Sequence, residues 1–187
     1  MRGAHRRERA ASRVSADAPG EDRVHNASSY VIRPPRPGDL GWVVHRQGVL
    51  YARELGFNQQ FEGLAAQIVA DFVQKHRPEK ERCWIAERTG EIVGSVFLVR
   101  QSDTVGRLRL LLVEPSARGL GIGSRLVAAC IRFARRARYR KITLWTQRDL
   151  EAARRIYQRA GFRLTTTRVE DSFGRRGLCL ETWELKL

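Results

Sequence analysis

The stretch Val113-Glu114-Pro115-Ser116-Ala117-Arg118-Gly119-Leu120-Gly121-Ile122-Gly123-Ser124 decides the fold of this chain. The apolar run Leu110-Leu111-Leu112-Val113 leads into it. Out of it runs a helical pattern to about residue 137, with Ile122, Leu126, Cys130 and Phe133 on one face. The segment therefore reads as strand, glycine-rich turn and helix. Glycines at 119, 121 and 123 let the backbone turn tightly and approach a ligand. The first turn of the helix presents free N–H groups, its dipole attracts an anion, and Arg118 supplies a charged fork at the rim. Together they make a cradle suited to a phosphate or pyrophosphate. The spacing G-x-G-x-G differs from the G-x-G-x-x-G of a dinucleotide-binding turn, and no Gly-Lys-Ser or Gly-Lys-Thr follows to make a P-loop. A helix entry that merely tolerates glycine is the plain alternative.

Working outward, residues 141–145 read as a strand, 150–160 as a helix, and 162–167 and 181–187 as strands. In the last of these Trp183, Leu185 and Leu187 alternate with Thr182, Glu184 and Lys186. Upstream, 108–113 is apolar without alternation, as expected of a central strand covered on both faces. Segments 83–87 and 91–100 form a hairpin through Arg88-Thr89-Gly90. Residues 40–55 and 59–76 carry apolar positions at helical spacing, and Tyr30-Val31-Ile32 is a short strand stopped by the proline-rich segment 33–38, after which Asp39 helps open a helix. Strand, turn, helix, strand, helix, strand is a βαβ-type core behind a helical pair and a hairpin. The predicted class is α/β (an α+β mixed sheet) with about six to seven strands and about four helices. Residues 1–29 are polar, small and without periodicity, and read as a disordered tail before a domain spanning 30–187.

A length of 187 residues fits one domain, and 42% hydrophobic residues suffice for a core. Charge stands out, with 35 Lys+Arg against 20 Asp+Glu giving +15. Only four of the 35 are lysines, so coding bias toward arginine explains the excess as readily as an anionic partner does. Six arginines and four acidic residues fall between positions 1 and 29, so the tail is not a basic arm and most of the charge belongs to the domain. Arg125, Arg132 and Arg136, with Arg135 beside them, form a stripe on the helix after the glycines, which keeps a basic nucleic-acid-associated module as an alternative. The sequence has no winged helix, aromatic RNP-like strand or zinc pattern, so nucleic acid is the weaker reading. Cys83, Cys130 and Cys179 lie far apart and the four histidines make no ligand pattern, so no metal and a reduced, cytoplasmic setting are expected. The longest apolar stretch, 92–99, is too short to span a bilayer, so no membrane association is expected.

Arg118-Gly119-Leu120-Gly121-Ile122-Gly123 resembles the R/Q-x-x-G-x-G/A signature of the GNAT acyltransferases, preceded as in that family by an apolar strand and Val-x-Pro. Ile32-Arg33-Pro34 with Asp39 resembles the family's opening strand, and Ile156-Tyr157 with Ala160-Gly161-Phe162 its second characteristic segment. The likeness covers residues 30–187. Its wording is similar to GNAT domains often fused behind MarR-type winged-helix regulators, which 29 residues are too few to hold.

The resemblance implies a GNAT-like fold in which acetyl-CoA lies where strands 108–113 and 141–145 splay apart. By position, the backbone of Leu111, Leu112 and Val113 would run beside the pantetheine arm. Arg118, Gly119, Leu120, Gly121, Ile122, Gly123 and Ser124 would hold the pyrophosphate. Gln147 would touch CoA where similar sequences tend to have Asn. Tyr157 falls on the family position of the acid that protonates the departing thiolate, or else packs on the sheet. Glu114 is a candidate base, or an ion-pair partner of Arg118. Tyr51, Glu54 and Trp145 are the expected substrate-binding residues, with Trp42, His45, Phe57 and Phe61 in the first two helices and the loops around the cleft mouth. The implied reaction is direct attack of a primary amine, on a small molecule or a protein, within a ternary complex of a monomer or homodimer. A GNAT-like protein that binds acyl-CoA without catalysis remains an alternative.

Overall fold

Arg33 closes the first strand, β1 (Val31–Arg33), and its guanidinium reaches forward to the carboxylate of Asp39 and sideways to Glu87 at 2.6 Å. Asp39 also accepts the Arg36 amide at 2.7 Å, so one acidic residue fixes the turn through the prolines and starts α1 (Asp39–Leu55). Burial works against its charge, but the Arg33 and Arg36 hydrogen bonds outweigh that and hold its carboxyl below the usual range. This is a computed structural model, and it describes residues 30–187; the tail reading of 1–29 lies outside the described residues. Helix α2 (Gln59–Gln74) follows, N-capped by Asn58, whose side chain accepts the Gln60 amide at 3.1 Å. Then come β2 (Arg82–Arg88), β3 (Glu91–Arg100), β4 (Val105–Val113), a single 3₁₀ turn at Pro115–Ala117, α3 (Ile122–Arg136), β5 (Lys141–Gln147), α4 (Glu151–Arg159), β6 (Arg163–Ser172) and β7 (Arg175–Lys186).

The seven strands form one mixed sheet in the order β1-β2-β3-β4-β5-β7-β6. Only β4 and β5 run parallel, and α3 is their crossover. On one face α3 and α4 bury Leu126, Cys130, Phe133 and Tyr157 against Val96, Leu108 and Ile142. On the other, α1 and α2 bury Val43, Val69 and Phe72 against Ile85 and Phe97.

Two features of the sheet create the cleft. Strand β4 pairs with β5 only through Val105, Gly106 and Arg107, so from Leu108 onward the two strands diverge. A bulge also bends β4. Ser95 lies opposite Leu112 and Phe97 opposite Arg109, which leaves Leu110 and Leu111 to share the place facing Val96. Leu110 adopts φ 51°, and Ser95 Oγ donates to its carbonyl at 3.2 Å. The bulge explains why 110–113 lacks alternation: Leu110 packs toward α1 and α2, while Leu111 and Val113 pack toward α3.

The last hairpin is longer than the sequence suggests. Strands β6 and β7 continue past 167 and begin before 181, joined by Phe173-Gly174 with φ 54° and 80°. Both residues have positive φ, as a two-residue type I′ turn requires, yet only the second is glycine. The tip docks on the α1–α2 connection, where the Asn58 amide donates to the Phe173 carbonyl at 3.0 Å and Arg175 Nη1 to the Leu55 carbonyl at 3.2 Å. Among the described residues no helix is long and apolar enough to cross a membrane.

Candidate active site

The splayed strands open a cavity of about 660 Å³, lined by the diverging parts of β4 and β5, the start of α3, the inner face of α4, and α1 with α2. At one end the chain leaves β4 and enters α3. Gly121 is the N-cap, at φ 76°, with no side-chain cap. Among the described residues, no backbone N–H from Gly119 to Ser124 is committed to a backbone carbonyl; the first such bond is Arg125 N–H to Gly121 O at 3.1 Å. A Cβ on Gly119 or Gly121 would meet nothing within 4 Å, so these glycines serve backbone conformation and leave the space in front open. Gly123 differs. A Cβ there would sit 2.7 Å from the Ile156 Cδ1 of α4, so this glycine lets α3 and α4 pack closely.

Of the residues singled out from sequence, Leu111, Leu112, Val113, Arg118, Gly119, Gly121, Ile122, Gly123, Ser124, Gln147, Tyr51, Glu54, Trp145 and Tyr157 all line the cavity. Leu120 and Glu114 do not. Glu114 does not pair with Arg118 either; its two oxygens take Nε and Nη2 of Arg46 on α1 at 2.6 and 2.8 Å, which ties α1 to the end of β4. Arg118 instead donates to both oxygens of Glu54, at 2.7 and 3.0 Å, and to the Val113 carbonyl at 3.3 Å. Glu54 thus lines the cavity as the partner of an arginine. Arg125 lies over the ring of Tyr30, 5.4 Å from its centroid, rather than along the cavity, and Arg132, Arg135 and Arg136 are exposed on the outer side of α3. His45 is exposed and Trp42 packs under α1, while Phe57 and Phe61 are buried cavity walls.

Tyr157 is 4% exposed, and burial, with Tyr51 and Cys130 nearby, pushes its phenol far above the ordinary tyrosine range. It keeps its proton at every physiological pH. Its helix is held by Glu181 of β7, a carboxylate 1% exposed that accepts from Arg154 Nε at 2.9 Å and from the Trp183 indole N–H at 3.0 Å. Gln147 is 2% exposed, and its amide nitrogen and oxygen have no hydrogen-bond partner among the described residues. Native proteins rarely leave such atoms unsatisfied, so this amide suits a polar ligand between the strands.

One wall of the cavity is aromatic. Tyr51 stacks on Phe61 with ring centroids 4.2 Å apart, and Trp145 lies parallel to Phe173 at 6.3 Å. Burial, with Glu54 nearby, pushes the Tyr51 hydroxyl up to about 12, against an opposing effect of Arg118. Sequence reasoning missed Phe173, which does not line the cavity but packs against Phe57, Phe61 and Trp145 because the β6–β7 tip folds back. It also missed Gln47 and Arg109. Gln47 sits on the buried face of α1 and Arg109 is the one charge in the apolar part of β4, which was the available signal for each.

A family model described as "Acetyltransferase (GNAT) family" matches residues 50–162. Among curated proteins, "Probable N-acetyltransferase camello" of Xenopus tropicalis is 31% identical over 129 residues, 65% of this chain and 58% of that one. Mycothiol acetyltransferase of Sanguibacter keddieii is 36% identical over 92 residues, 46% of this chain and 29% of that one. The aligned parts thus span less than two thirds of those relatives. Among solved structures, yncA of Salmonella typhimurium, determined with its cofactor acetyl-CoA, superposes with a TM-score of 0.70 at 20% identity over 87% of this chain and 95% of that one. A GNAT-family acetyltransferase from Streptococcus pneumoniae gives 0.69 at 18% identity over 85% and 99%. The family model spans more than half of the chain, and the solved structures share its fold: this chain belongs to the GNAT acetyltransferase family.

Proposed function

We propose that the protein transfers an acetyl group from acetyl-CoA to a primary amine of a small molecule or protein, both substrates being bound together. The observation that carries this reading is the pairing of uncommitted amides with a protonated phenol in one cavity: Gly119 to Ser124 at one end, Tyr157 inside. The amides and the start of α3 suit a pyrophosphate, with Arg118 at the rim. The β5-facing backbone of β4 from Leu108 is free to bond an extended arm as an added strand, and the Gln147 amide offers it a further donor and acceptor. Bound acetyl-CoA supplies a thioester acyl group. A new N–C bond replaces the C–S bond; of the two protons the ammonium gives up, one ends on sulfur and one in solvent.

Tyr157 holds the proton for the sulfur, because a phenol kept neutral by burial is a donor at any working pH. Glu114 is bonded to Arg46 outside the cavity, and Glu54 is bonded to Arg118. With neither carboxylate free, we assign removal of the amine proton to water. The free thiols of Cys83, Cys130 and Cys179 suit a reducing, cytoplasmic setting.

A thiol-release assay over amines, polyamines, aminoglycosides and peptides, with calorimetry of CoA binding, tests the reading. CoA binding by the wild type and thiol release with at least one amine are expected. A folded protein that binds no CoA overturns the reading, and one that binds CoA but releases no thiol with any amine leaves an acyl-CoA-binding protein in its place.

A further inference from the structure

The side of the cavity covered by α1 and α2 contains a cation without an anion among the described residues. The carboxylates along the cavity each already meet an arginine: Glu54 with Arg118 at 2.7 Å, Asp149 with Arg175 at 3.3 Å, and Glu151 with Arg155 at 3.2 Å. Arg109 of β4 lines the same cavity, and its guanidinium makes no hydrogen bond or ion pair among the described residues. Arg107 is paired with Thr143 across the strands, and both side chains bond the Gln101 amide oxygen, so they share one face of the sheet. Strand alternation puts Arg109 and Trp145 on that face too, the one covered by α1 and α2. Arg109 therefore faces the α1–α2 side of the cavity, away from α3.

Partial burial, with the like charge of Arg107 nearby, pushes the Arg109 guanidinium down to about 10, so it is still charged at neutral pH. A desolvated cation is costly unless paired. Gln47 of α1 lines the same cavity, is 0% exposed, and has an amide nitrogen and oxygen with no partner. A guanidinium fork and an amide N–H, both unpaired, are the complement of a carboxylate. The α2 side of the cavity adds the apolar Leu64, Ala65 and Ile68.

We propose that the acetyl acceptor is an amine that also carries a carboxylate, received by Arg109 with Gln47, with its apolar body against α2. This rests on the N-acetyltransferase reading above. It also disfavours polyamines, which would bring positive charge to an unpaired arginine.

The test uses matched pairs, L-leucine with L-leucinamide and L-phenylalanine with L-phenylalaninamide, together with spermidine, in thiol release by the full chain. In parallel, calorimetry of the CoA-loaded protein uses N-acetyl-L-leucine and N-acetyl-L-leucinamide. The carboxylate member should be favoured by about tenfold or more in kcat/KM or Kd. Arg109→Gln should erase that preference and Arg109→Lys retain part of it, with CoA affinity unchanged in both. Gln47→Leu, which is compatible with a buried site, should weaken the carboxylate ligand alone. Equal or better performance of the amides or spermidine in the wild type, or a preference that survives Arg109→Gln, overturns the proposal. CoA binding without any carboxylate preference in either assay overturns this proposal alone, whereas absence of CoA binding overturns the acetyltransferase reading.

Discussion

The glycine-turn end of the cleft is one unbroken piece of chain, from β4 through the turn to the first turn of α3, whereas the side proposed to take the acceptor is gathered from α1, α2, β4 and β5. At the first end the chemistry is mostly backbone: amides, strand edge and helix start. At the second it is all side chain, with Tyr51, Phe61, Arg109 and Trp145 lining the cavity and Phe173 packed against Phe61 and Trp145, from positions more than a hundred residues apart. A backbone site is set by local sequence and tolerates change elsewhere. A side-chain site depends on every packing contact that delivers its parts, and can be altered one residue at a time without disturbing the other end.

Breaking the support beneath both ends should have the largest effect. Glu181→Ala would leave Arg154 and the Trp183 indole unpaired beneath α4, and unfolding stability should fall by about 3 kcal/mol in urea titration. Next comes the group standing between the two ends. Tyr157→Phe should lower kcat by about a hundredfold, with CoA affinity unchanged by calorimetry. In the wild type, kcat should show no loss as pH rises through about 10, where an ordinary tyrosine gives up its proton. The raised pKa favours the protonated form, so the donor persists.

A substitution on β5, across the cleft from β4, should separate stability from binding. Gln147→Leu removes two unsatisfied buried atoms, so the free protein should gain about 1 kcal/mol by thermal or urea unfolding, while CoA binding weakens about tenfold. The smallest effect should distinguish the glycines. Gly123→Ala should cost about 1 kcal/mol of stability and be relieved by Ile156→Val, because its cost is a contact with the Ile156 terminal methyl. Gly121→Val should find no such partner, since its cost lies in φ 76° and in the amides it displaces, and it should reduce CoA binding instead.

How far the sequence could be read follows the same division. The glycine run, the strand before it and the helix after it are adjacent in the chain, so periodicity and turn chemistry revealed them together. Tyr157 was visible through its resemblance to the family position. Glu114, by contrast, looked like a partner of Arg118 because the two are four residues apart, yet Glu114 meets Arg46 and Arg118 meets Glu54, both from α1. Proximity along the chain is a poor guide where a loop and a helix from elsewhere compete for the same charge. The β6–β7 tip was missed because Phe173 adopts a left-handed conformation that its residue type does not advertise.

By itself the sequence determined the mixed sheet, the crossover through α3 and the glycine turn that enters it, because those depend on hydrophobic period and on glycine. Only the tertiary structure decided which arginine meets which carboxylate. It also decided that Gly123 serves helix packing while Gly121 serves the turn, and that Arg109 faces the cavity without a partner. Those outcomes depend on the bulge at Leu110, the parting of β4 from β5 and the docking of α1 and α2, each a long-range packing result that no local pattern encodes.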